Sequence, residues 1–455
     1  MHLPTTTAAP GFRWGKRFRL PLLLKFLSLS LPLLAASHTY TSWAEAKPIL
    51  DTQHNHLPAT LNNPTPAKWT AWTQREDKAI RARLQQGDLD SMVNFLLFGT
   101  SFTSQPRIKV VAIGEASKSG VLRARVDDLV TALHTPSDNE RLAFLRALLR
   151  AKDVDPDVSG ATGVFLYSNL QRVLEERRVI AQRAETAKQT TATALDRASL
   201  FEDRGVSLDT SILPDFALEQ TLRELKQHGV LREGQVARVA IVGPGLDFAD
   251  KNEDSAYDYY PQQTVQPFAV YDSLLRLGLA KSGGLSLSIF DISARVIDHL
   301  QRARRKDVSY IIQLPHDVAR PWPAELTAYW RTLGDRIGSP VATIQPPQIF
   351  AGLETRAVKI RPEVVLACQP IDLNIVLERL TLPAADRYDL IIGTNIFIYY
   401  GPFEQSLALE NAGAMLKPGG LLLTNDRLPE VPGGAMHQAG TLNAGTDTVG
   451  WYQRR

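Results

Sequence analysis

The sequence contains a single cysteine, Cys368, among 455 residues. One cysteine cannot close a disulfide within the chain, and it cannot supply the cysteine cluster of a structural zinc site. The histidines His54 and His56 lie in a polar segment, where solvated side chains are expected. The Gly-x-Ser-x-Gly and Gly-x-x-x-x-Gly-Lys-Ser/Thr patterns of hydrolases and nucleoside triphosphatases are also missing. We therefore expect no metal site and neither of those two chemistries.

The chain lacks a strong charge of either sign, with a net charge of +3. Most of this excess lies near the N-terminus, in Arg13, Lys16, Arg17, Arg19 and Lys25. The rest of the chain is close to neutral and has no evident basic face. Because nucleic-acid binding needs such a face, we expect no nucleic-acid partner.

Long apolar runs are missing as well, and the stretch from Phe26 to Ala36 is too short to span a bilayer comfortably. It follows a basic segment and precedes small residues, Ala44 and Ala46, a pattern typical of a secretion signal. We interpret residues 1–46 as a signal peptide or membrane anchor, with an earlier cleavage site at Ala35-Ala36-Ser37 as an alternative. The predicted location is therefore exported or membrane-anchored, and a misread start codon would leave the protein cytoplasmic.

Two folded regions are expected after a linker at 47–68 that is rich in proline, asparagine and threonine. Apolar periodicity predicts an all-helical domain over 69–230. The predicted helices are Trp69 to Gln86, Asp88 to Phe98, Leu122 to Leu133, Glu140 to Ala151, Phe165 to Phe201 and Pro214 to His228. Ser137 and Glu140 predict a capping box for the fourth of them.

Over 231–455 short apolar runs alternate with helical stretches, which predicts an α/β fold with a doubly wound, mostly parallel sheet. The predicted strands are Ala237 to Val242, Leu285 to Phe290, Val364 to Ala367, Leu390 to Ile392 and Leu421 to Leu423. The clearest helix runs from Pro402 to Leu416 and ends at Lys417-Pro-Gly-Gly420.

Two glycines, Gly243 and Gly245, follow the first of these strands, where the backbone can approach a ligand closely. A structural turn explains such glycines equally well. Asp291 ends the second strand, at the sheet edge where α/β proteins bind ligands. Its carboxylate could accept hydrogen bonds from ribose hydroxyls, or it could cap the helix that follows.

The segment from Tyr388 to Tyr400, followed by a helix, Lys417-Pro-Gly-Gly420 and another strand, resembles the class I S-adenosylmethionine-dependent methyltransferases. The resemblance covers about Val236 to Asn425. The segment from Asn395 to Tyr400 is similar in particular to the chemotaxis receptor-glutamate methyltransferases, although their receptor-docking features are not recognisable.

The resemblance implies roles for residues at the strand ends. Gly243 and Gly245 would let the backbone run close beside the methionine part of S-adenosylmethionine. Asp291 would hold its ribose hydroxyls, and Asp372 would contact its adenine. Thr394 and Asn395 would face the transferring methyl group, with Thr394 counted among the cofactor-binding residues. Tyr399 would line the acceptor pocket, or pack as a core aromatic.

The sequence departs from this family at several places. Ile241 stands where the family often has an acid, and Asp247 replaces the usual third glycine. The segment from Asp250 to Pro267 is an apparent insertion that could cover the cofactor or form a surface loop. In a second insertion, His316 beside Asp317 suggests a general base, although neighbouring residues usually point apart.

From the sequence we expect a methyltransferase that acts on a small-molecule or protein acceptor. Two alternatives remain open: an exported or anchored binding protein that keeps the fold without catalysis, and a dinucleotide-binding protein. Export itself argues against an enzyme, because S-adenosylmethionine is made in the cytoplasm.

Overall fold

A computed structural model describes residues 37–108, 113–189, 212–247, 257–319, 321–347, 352–445 and 447–455. Contacts between residues group Ser37–Arg455 into one compact unit. The N-terminal helices therefore share a unit with the sheet, and a separate all-helical domain is not confirmed. The predicted leader, up to Ala36, lies outside the described residues, as does the end of the predicted helix at Phe201. No helix among the described residues combines the length and apolar character that membrane crossing requires.

The N-terminal half is mainly helical. Its helices are α1 (Trp43–Thr52), α2 (Pro66–Phe98), α3 (Ile113–Lys118), α4 (Val121–His134), α5 (Glu140–Arg150), α6 (Ser159–Gln189) and α7 (Ile212–Gln227). The two helices predicted on either side of Gly87 form one helix, α2, and Gly87 is one of its buried interior residues. The predicted capping box of α5 is wrong, since Asn139 caps this helix by accepting from the amides of Arg141 and Leu142.

The predicted linker at 47–68 carries regular structure. Helix α1 begins at a capping box formed by Ser42 and Glu45 and buries Ile49 and Leu50. Before it, strand β1 (His38–Tyr40) pairs with β8 (Glu378–Leu380). This segment is therefore packed against the rest of the chain.

A seven-stranded sheet forms the centre of the C-terminal half. Its strands, in chain order, are β2 (Arg238–Val242), β3 (Ser286–Asp291), β7 (Cys368–Asp372), β9 (Tyr388–Gly393), β10 (Leu416–Thr424), β11 (Met436–Ala444) and β12 (Asp447–Arg454). The spatial order is β11-β12-β10-β9-β2-β3-β7, and only β12 runs against its neighbours. The fold is therefore Rossmann-like, with a mostly parallel sheet.

The remaining helices are α8 (Gln266–Arg276), α9 (Ala294–Ala303), α10 (Ala324–Thr332), α11 (Pro362–Ala367) and α12 (Pro402–Met415). Helix α7 packs against α8, β11 and β12, so it belongs to the sheet's covering layer. The second predicted insertion forms a small antiparallel sheet of β4 (Ile311–Asp317), β5 (Gly338–Pro340) and β6 (Leu353–Ile360). Helix α10 lies between β4 and β5 in the chain.

One predicted strand is wrong. Val364 to Ala367 form the short helix α11, and the third parallel strand begins directly after it, at Cys368. Pro362 explains the difference, because its fixed φ favours the first turn of a helix. Only one side of the apolar run is buried: Val364 is 1% exposed, whereas Leu366 is 50% exposed.

Candidate functional site

The predicted site residues lie along one edge of the sheet. Strand order reverses between β2 and β9, because successive strands are added in opposite directions from this point. In open α/β sheets such a reversal leaves a crevice at the carboxyl ends of the strands. Gly243 follows β2 at this edge, and Thr394 follows β9.

The glycine turn closes tightly on the segment after β9. Gly243 has a φ of 61° and Gly245 a φ of 72°, both in the left-handed region. The amide of Gly243 donates to the carbonyl of Phe290 at 2.8 Å. A Cβ atom on Gly243 would lie 2.1 Å from Cδ1 of Ile396. The turn therefore admits only glycine at 243 while the Ile396 side chain stays where it is.

We predict that Gly243→Ala lowers the free energy of unfolding by roughly 1–3 kcal/mol, through backbone strain and this contact. Chemical denaturation of the variant measures the loss. The double variant Gly243→Ala/Ile396→Ala removes the contact but keeps the strain, so it should recover part of the loss. Equal stability of the single variant and the wild type would contradict this account.

Asp291, at the end of β3, is 5% exposed. Its Oδ1 accepts from the amide of Ser293 at 2.8 Å, whereas its Oδ2 has no hydrogen-bond partner among the described residues. Burial raises the pKa of this carboxyl to about 7, against the lowering effect of the backbone amides. A buried acceptor without a partner is costly, so Oδ2 is poised to receive a donor from a ligand.

Asp372 is the direct neighbour of Asp291 across the β3–β7 ladder. It is exposed, and it forms an ion pair with Arg81 of α2 at 2.9 Å. The Asp372 carboxylate, which the family resemblance assigns to adenine, is therefore held by helix α2 through Arg81.

Thr394 is buried, and its hydroxyl accepts from the side-chain amide of Gln266 at 2.9 Å. Asn395, next in the chain, has a φ of 58°, which is uncommon for a residue other than glycine. Two hydrogen bonds of 2.7 Å join it to Asn425, which follows β10. Residues other than glycine in this backbone region cluster at active sites and ligand-binding sites, where the surrounding structure holds them in place.

Tyr399 is buried, and its carbonyl accepts from Arg83 of α2 at 2.6 Å. The guanidinium of Arg83 also lies 5.6 Å from the ring centroid of Tyr400. Burial raises the pKa of Tyr400, and the nearby Asp291 adds to this effect. Helix α2 therefore crosses the edge that carries Asp291 and Asp372.

The first insertion attaches the helical half to the glycine turn. In its described part, 257–267, Tyr260 donates to Asp247 at 2.7 Å. The buried Arg141 of α5 donates to the carbonyls of Tyr260 and Asp247. Asp258 accepts from both the amide and the hydroxyl of Ser101. Asp247, in place of the third glycine, thus has a structural role, and this part of the insertion is not a plain surface loop.

His316 is buried between two indole rings, at 4.1 Å from Trp322 and 5.2 Å from Trp330 between ring centroids. His316 and Asp317 are successive residues of β4, so their side chains point to opposite faces of that sheet. The geometry gives no support to the His316–Asp317 general base.

Sequence reasoning missed three polar residues at this edge: Asp215 of α7, Gln266 of α8 and Asn425. Asp215 is 2% exposed, and the side chain of Gln266 is its hydrogen-bonding neighbour. Burial raises its pKa to about 8, although Gln266 opposes the shift. No local pattern marks these residues, because each occupies an ordinary position of a helix start or strand end.

No family model matches the sequence, and no curated protein is significantly similar to it. Among solved structures, the chain is similar to a TehB-like SAM-dependent methyltransferase from Corynebacterium glutamicum, with 10% identity over 54% of this chain and 100% of that one, at a TM-score of 0.24. It is also similar to human N-acetylserotonin methyltransferase in complex with SAM, with 10% identity over 85% and 97% of the chains, at a TM-score of 0.26.

Magnesium protoporphyrin IX methyltransferase from Synechocystis, with bound SAM, has 11% identity over 60% of this chain and 97% of that one, at a TM-score of 0.25. These neighbours are SAM-dependent methyltransferases that act on varied substrates. These TM-scores are low, and the fold of this chain is defined by its own sheet order.

Proposed function

We propose that this protein binds S-adenosylmethionine at the β2–β9 crevice and transfers its methyl group to an acceptor. The observation that carries the proposal is the unpaired, buried Oδ2 of Asp291, one strand from the left-handed glycine turn at Gly243. A carboxylate at this position can accept hydrogen bonds from ribose hydroxyls, and the glycine turn lets a ligand approach the backbone. These residues fit a nucleoside ligand.

Sheet order favours S-adenosylmethionine over a dinucleotide. A dinucleotide-binding sheet of the Rossmann type has the order 3-2-1-4-5-6. Here the last strand, β12, is inserted antiparallel between β10 and β11. This arrangement departs from the dinucleotide-binding order.

Bound S-adenosylmethionine supplies an activated methyl group, so the protein's main task is to hold the acceptor in line with it. In our proposal Gly243, Gly245 and Asp291 bind the cofactor, and Asp372 is available to it once Arg81 releases the carboxylate. Thr394 and Asn395 would border the reacting groups. Tyr399, whose carbonyl holds Arg83, would act as a packing residue behind them. The substrate of the chemotaxis receptor-glutamate methyltransferases is not carried over to this chain, and the acceptor stays predicted as a small molecule or a protein.

Isothermal titration calorimetry of residues 37–455 with S-adenosylmethionine, S-adenosylhomocysteine and NAD tests the proposal. We expect both methyl-cycle ligands to bind and NAD not to bind. Binding of NAD alone would identify a dinucleotide protein. Binding of none of the three would favour a non-catalytic protein that keeps the fold.

The N-terminal segment bears on how the chain is processed. Ala44 and Ala46 lie inside helix α1, and Ala46 is fully buried. The buried Thr41 carbonyl accepts from the indole of Trp69 at 2.8 Å. If a signal is removed, we propose that it is cut at Ala35-Ala36-Ser37, before the packed segment. Export or anchoring itself remains a proposal.

We predict that residues 37–455 unfold at a higher temperature than residues 47–455. The shorter chain loses β1, the helix cap of α1 and the Glu45–Arg379 ion pair, and the cap alone is typically worth about 1 kcal/mol. Thermal unfolding followed by circular dichroism measures the difference. Equal melting temperatures would show that the segment adds nothing to stability.

A further inference from the structure

Helix α2 is tied to the segments at the ends of three strands of the large sheet. The ties are an ion pair of Arg81 with Asp372 at the end of β7 (2.9 Å), a hydrogen bond from Arg83 to the carbonyl of Tyr399 after β9 (2.6 Å) and an ion pair of Asp88 with Arg295 after β3 (2.7 Å). The helix therefore lies across the edge at which the cofactor is proposed to bind.

The middle of α2 is held mainly by these polar contacts. Between Thr73 and Gly87, a stretch that the structure describes in full, Ile80 is the only buried residue. Both ends of the helix are anchored by buried apolar side chains, which include Trp72 near its start and Phe98 at its end. The helix as a whole is therefore fixed, and a change at the crevice would come from its side chains.

Arg81 has two carboxylate partners, so it can release one of them and stay paired. Its Nε lies 3.2 Å from both oxygens of Asp77, one turn earlier in α2. Asp77 is itself held by the side-chain amide of Asn374, which donates to it at 2.8 Å. The side chain of Asp372 is 60% exposed and that of Asp77 14%. Because an ion pair exposed to water is weak, Asp372 is the partner that a competing donor can take.

Asp372 lies beside the residue that is proposed to hold the ribose. Asp291 and Asp372 are direct neighbours across the β3–β7 ladder, and neighbouring strands lie about 4.8 Å apart. The charge of Asp372 adds to the effect of burial in raising the pKa of Asp291. With the ribose on Asp291, the next carboxylate along the edge is in a position to meet the base. Adenine offers its exocyclic amino group as a donor, and a carboxylate only accepts.

We propose that Arg81 sets the affinity and base selectivity of the cofactor site by occupying the Asp372 carboxylate in the free protein and yielding it to the adenine amino group on binding. This statement rests on the proposed function. In the exchange Arg81 keeps Asp77 as its partner, and Asp372 gains a neutral donor. A guanidinium is a stronger donor to a carboxylate than a neutral amino group, so the ion pair opposes binding. Arg81 is thus a specificity-determining residue and has no part in the methyl transfer itself.

Calorimetric titration of residues 37–455 with S-adenosylhomocysteine and with its 6-deamino analogue tests the exchange. In the analogue a hydrogen replaces the adenine amino group, so it offers Asp372 no donor at that position. Arg81→Met removes the competing donor and should raise the affinity for S-adenosylhomocysteine about threefold, the worth of an exposed ion pair. The affinity for the analogue should not change. Added salt should raise the wild-type affinity for S-adenosylhomocysteine by screening the pair, and it should have no such effect on Arg81→Met.

Arg172→Met is the matched control. Arg172 also pairs with two carboxylates, Asp90 of α2 at 2.7 Å and Glu176 at 2.9 Å. Its side chain is 29% exposed and that of Arg81 31%, but Arg172 joins α2 to α6 instead of a strand end. This control should leave both affinities unchanged. In an Asp372→Asn background, Arg81→Met should no longer raise the affinity, because the carboxylate that it frees is gone.

The inference is wrong if Arg81→Met binds S-adenosylhomocysteine no more tightly than the wild type does. It is also wrong if the variant binds both probes more tightly, or if Arg172→Met has the same effect, since either result would mean a general loosening of α2. Binding of S-adenosylhomocysteine that is insensitive to Arg81 would leave the proposed function standing. A lack of binding in the wild type and every variant would overturn both proposals.

Discussion

Replacing Asp291 with alanine is expected to lower the affinity for S-adenosylhomocysteine about 100-fold. Hydrogen bonds to a charged group are worth about 1.5–3 kcal/mol each, and two ribose hydroxyls can reach one carboxylate. Part of the binding free energy is expected to come from satisfying Oδ2 of Asp291, because this atom is buried without a partner in the unliganded protein. A ligand hydroxyl would satisfy it at no cost in lost protein contacts. Calorimetric titration measures the change.

Asp291→Asn is the informative companion variant. It keeps the size of the side chain and one acceptor oxygen but removes the charge, so an intermediate loss is expected. Asp372→Asn serves as a second comparison, since Asp372 is exposed and already paired with Arg81. We expect a smaller loss, below about tenfold, because an exposed ion pair contributes little. An unchanged affinity in Asp291→Ala would remove the central support of the proposed function.

The free energy of unfolding is expected to fall by about 2 kcal/mol between pH 6.5 and pH 8, mainly because of Asp215. Its pKa is about 8 in the folded protein, well above the ordinary value of 3.8. In this range the unfolded chain has already lost the proton that the folded chain still binds. Stability therefore declines as the pH rises, until the folded carboxyl also ionises.

Asp291, His299 and Cys368 also have shifted pKa values, and each of them contributes less than Asp215 over this pH range. Asp291 adds to the decline only up to its folded pKa of about 7. Burial lowers the pKa of His299 to about 4, so its effect on stability ends near its ordinary value of 6.5. The pKa of Cys368 is raised from 9.0, so the effect of this thiol lies mainly above pH 8.

Urea denaturation at several pH values measures the slope. Asp215→Asn should make stability nearly independent of pH from 7 to 8, and it should be more stable than the wild type at pH 8. Asp291→Asn should alter only the part of the curve near pH 7. A wild-type curve that rises or stays level over this range would show that Asp215 ionises normally.

Local sequence patterns were enough to predict the Rossmann-like region and most of its strands. The runs that end at Val242, Phe290 and Ile392 are short, apolar and bounded by glycine or aspartate, so local chemistry is enough to define them. Lys417-Pro-Gly-Gly420 likewise marked the boundary between α12 and β10. The parallel arrangement then followed from alternation with helices, which is why Gly243, Asp291 and Thr394 could be predicted to share one edge.

The surroundings of those residues depend on how distant parts of the chain pack together. The ion pair of Arg81 with Asp372 and the burial of Asp215 beside Gln266 bring together positions far apart in the chain, so no local pattern could reveal them. The helix α11 in place of a strand shows the same limit, because four apolar residues fit either structure until neighbouring elements bury one side. Sequence fixes local backbone preferences; burial and the partners of a charge depend on what the whole chain places beside them.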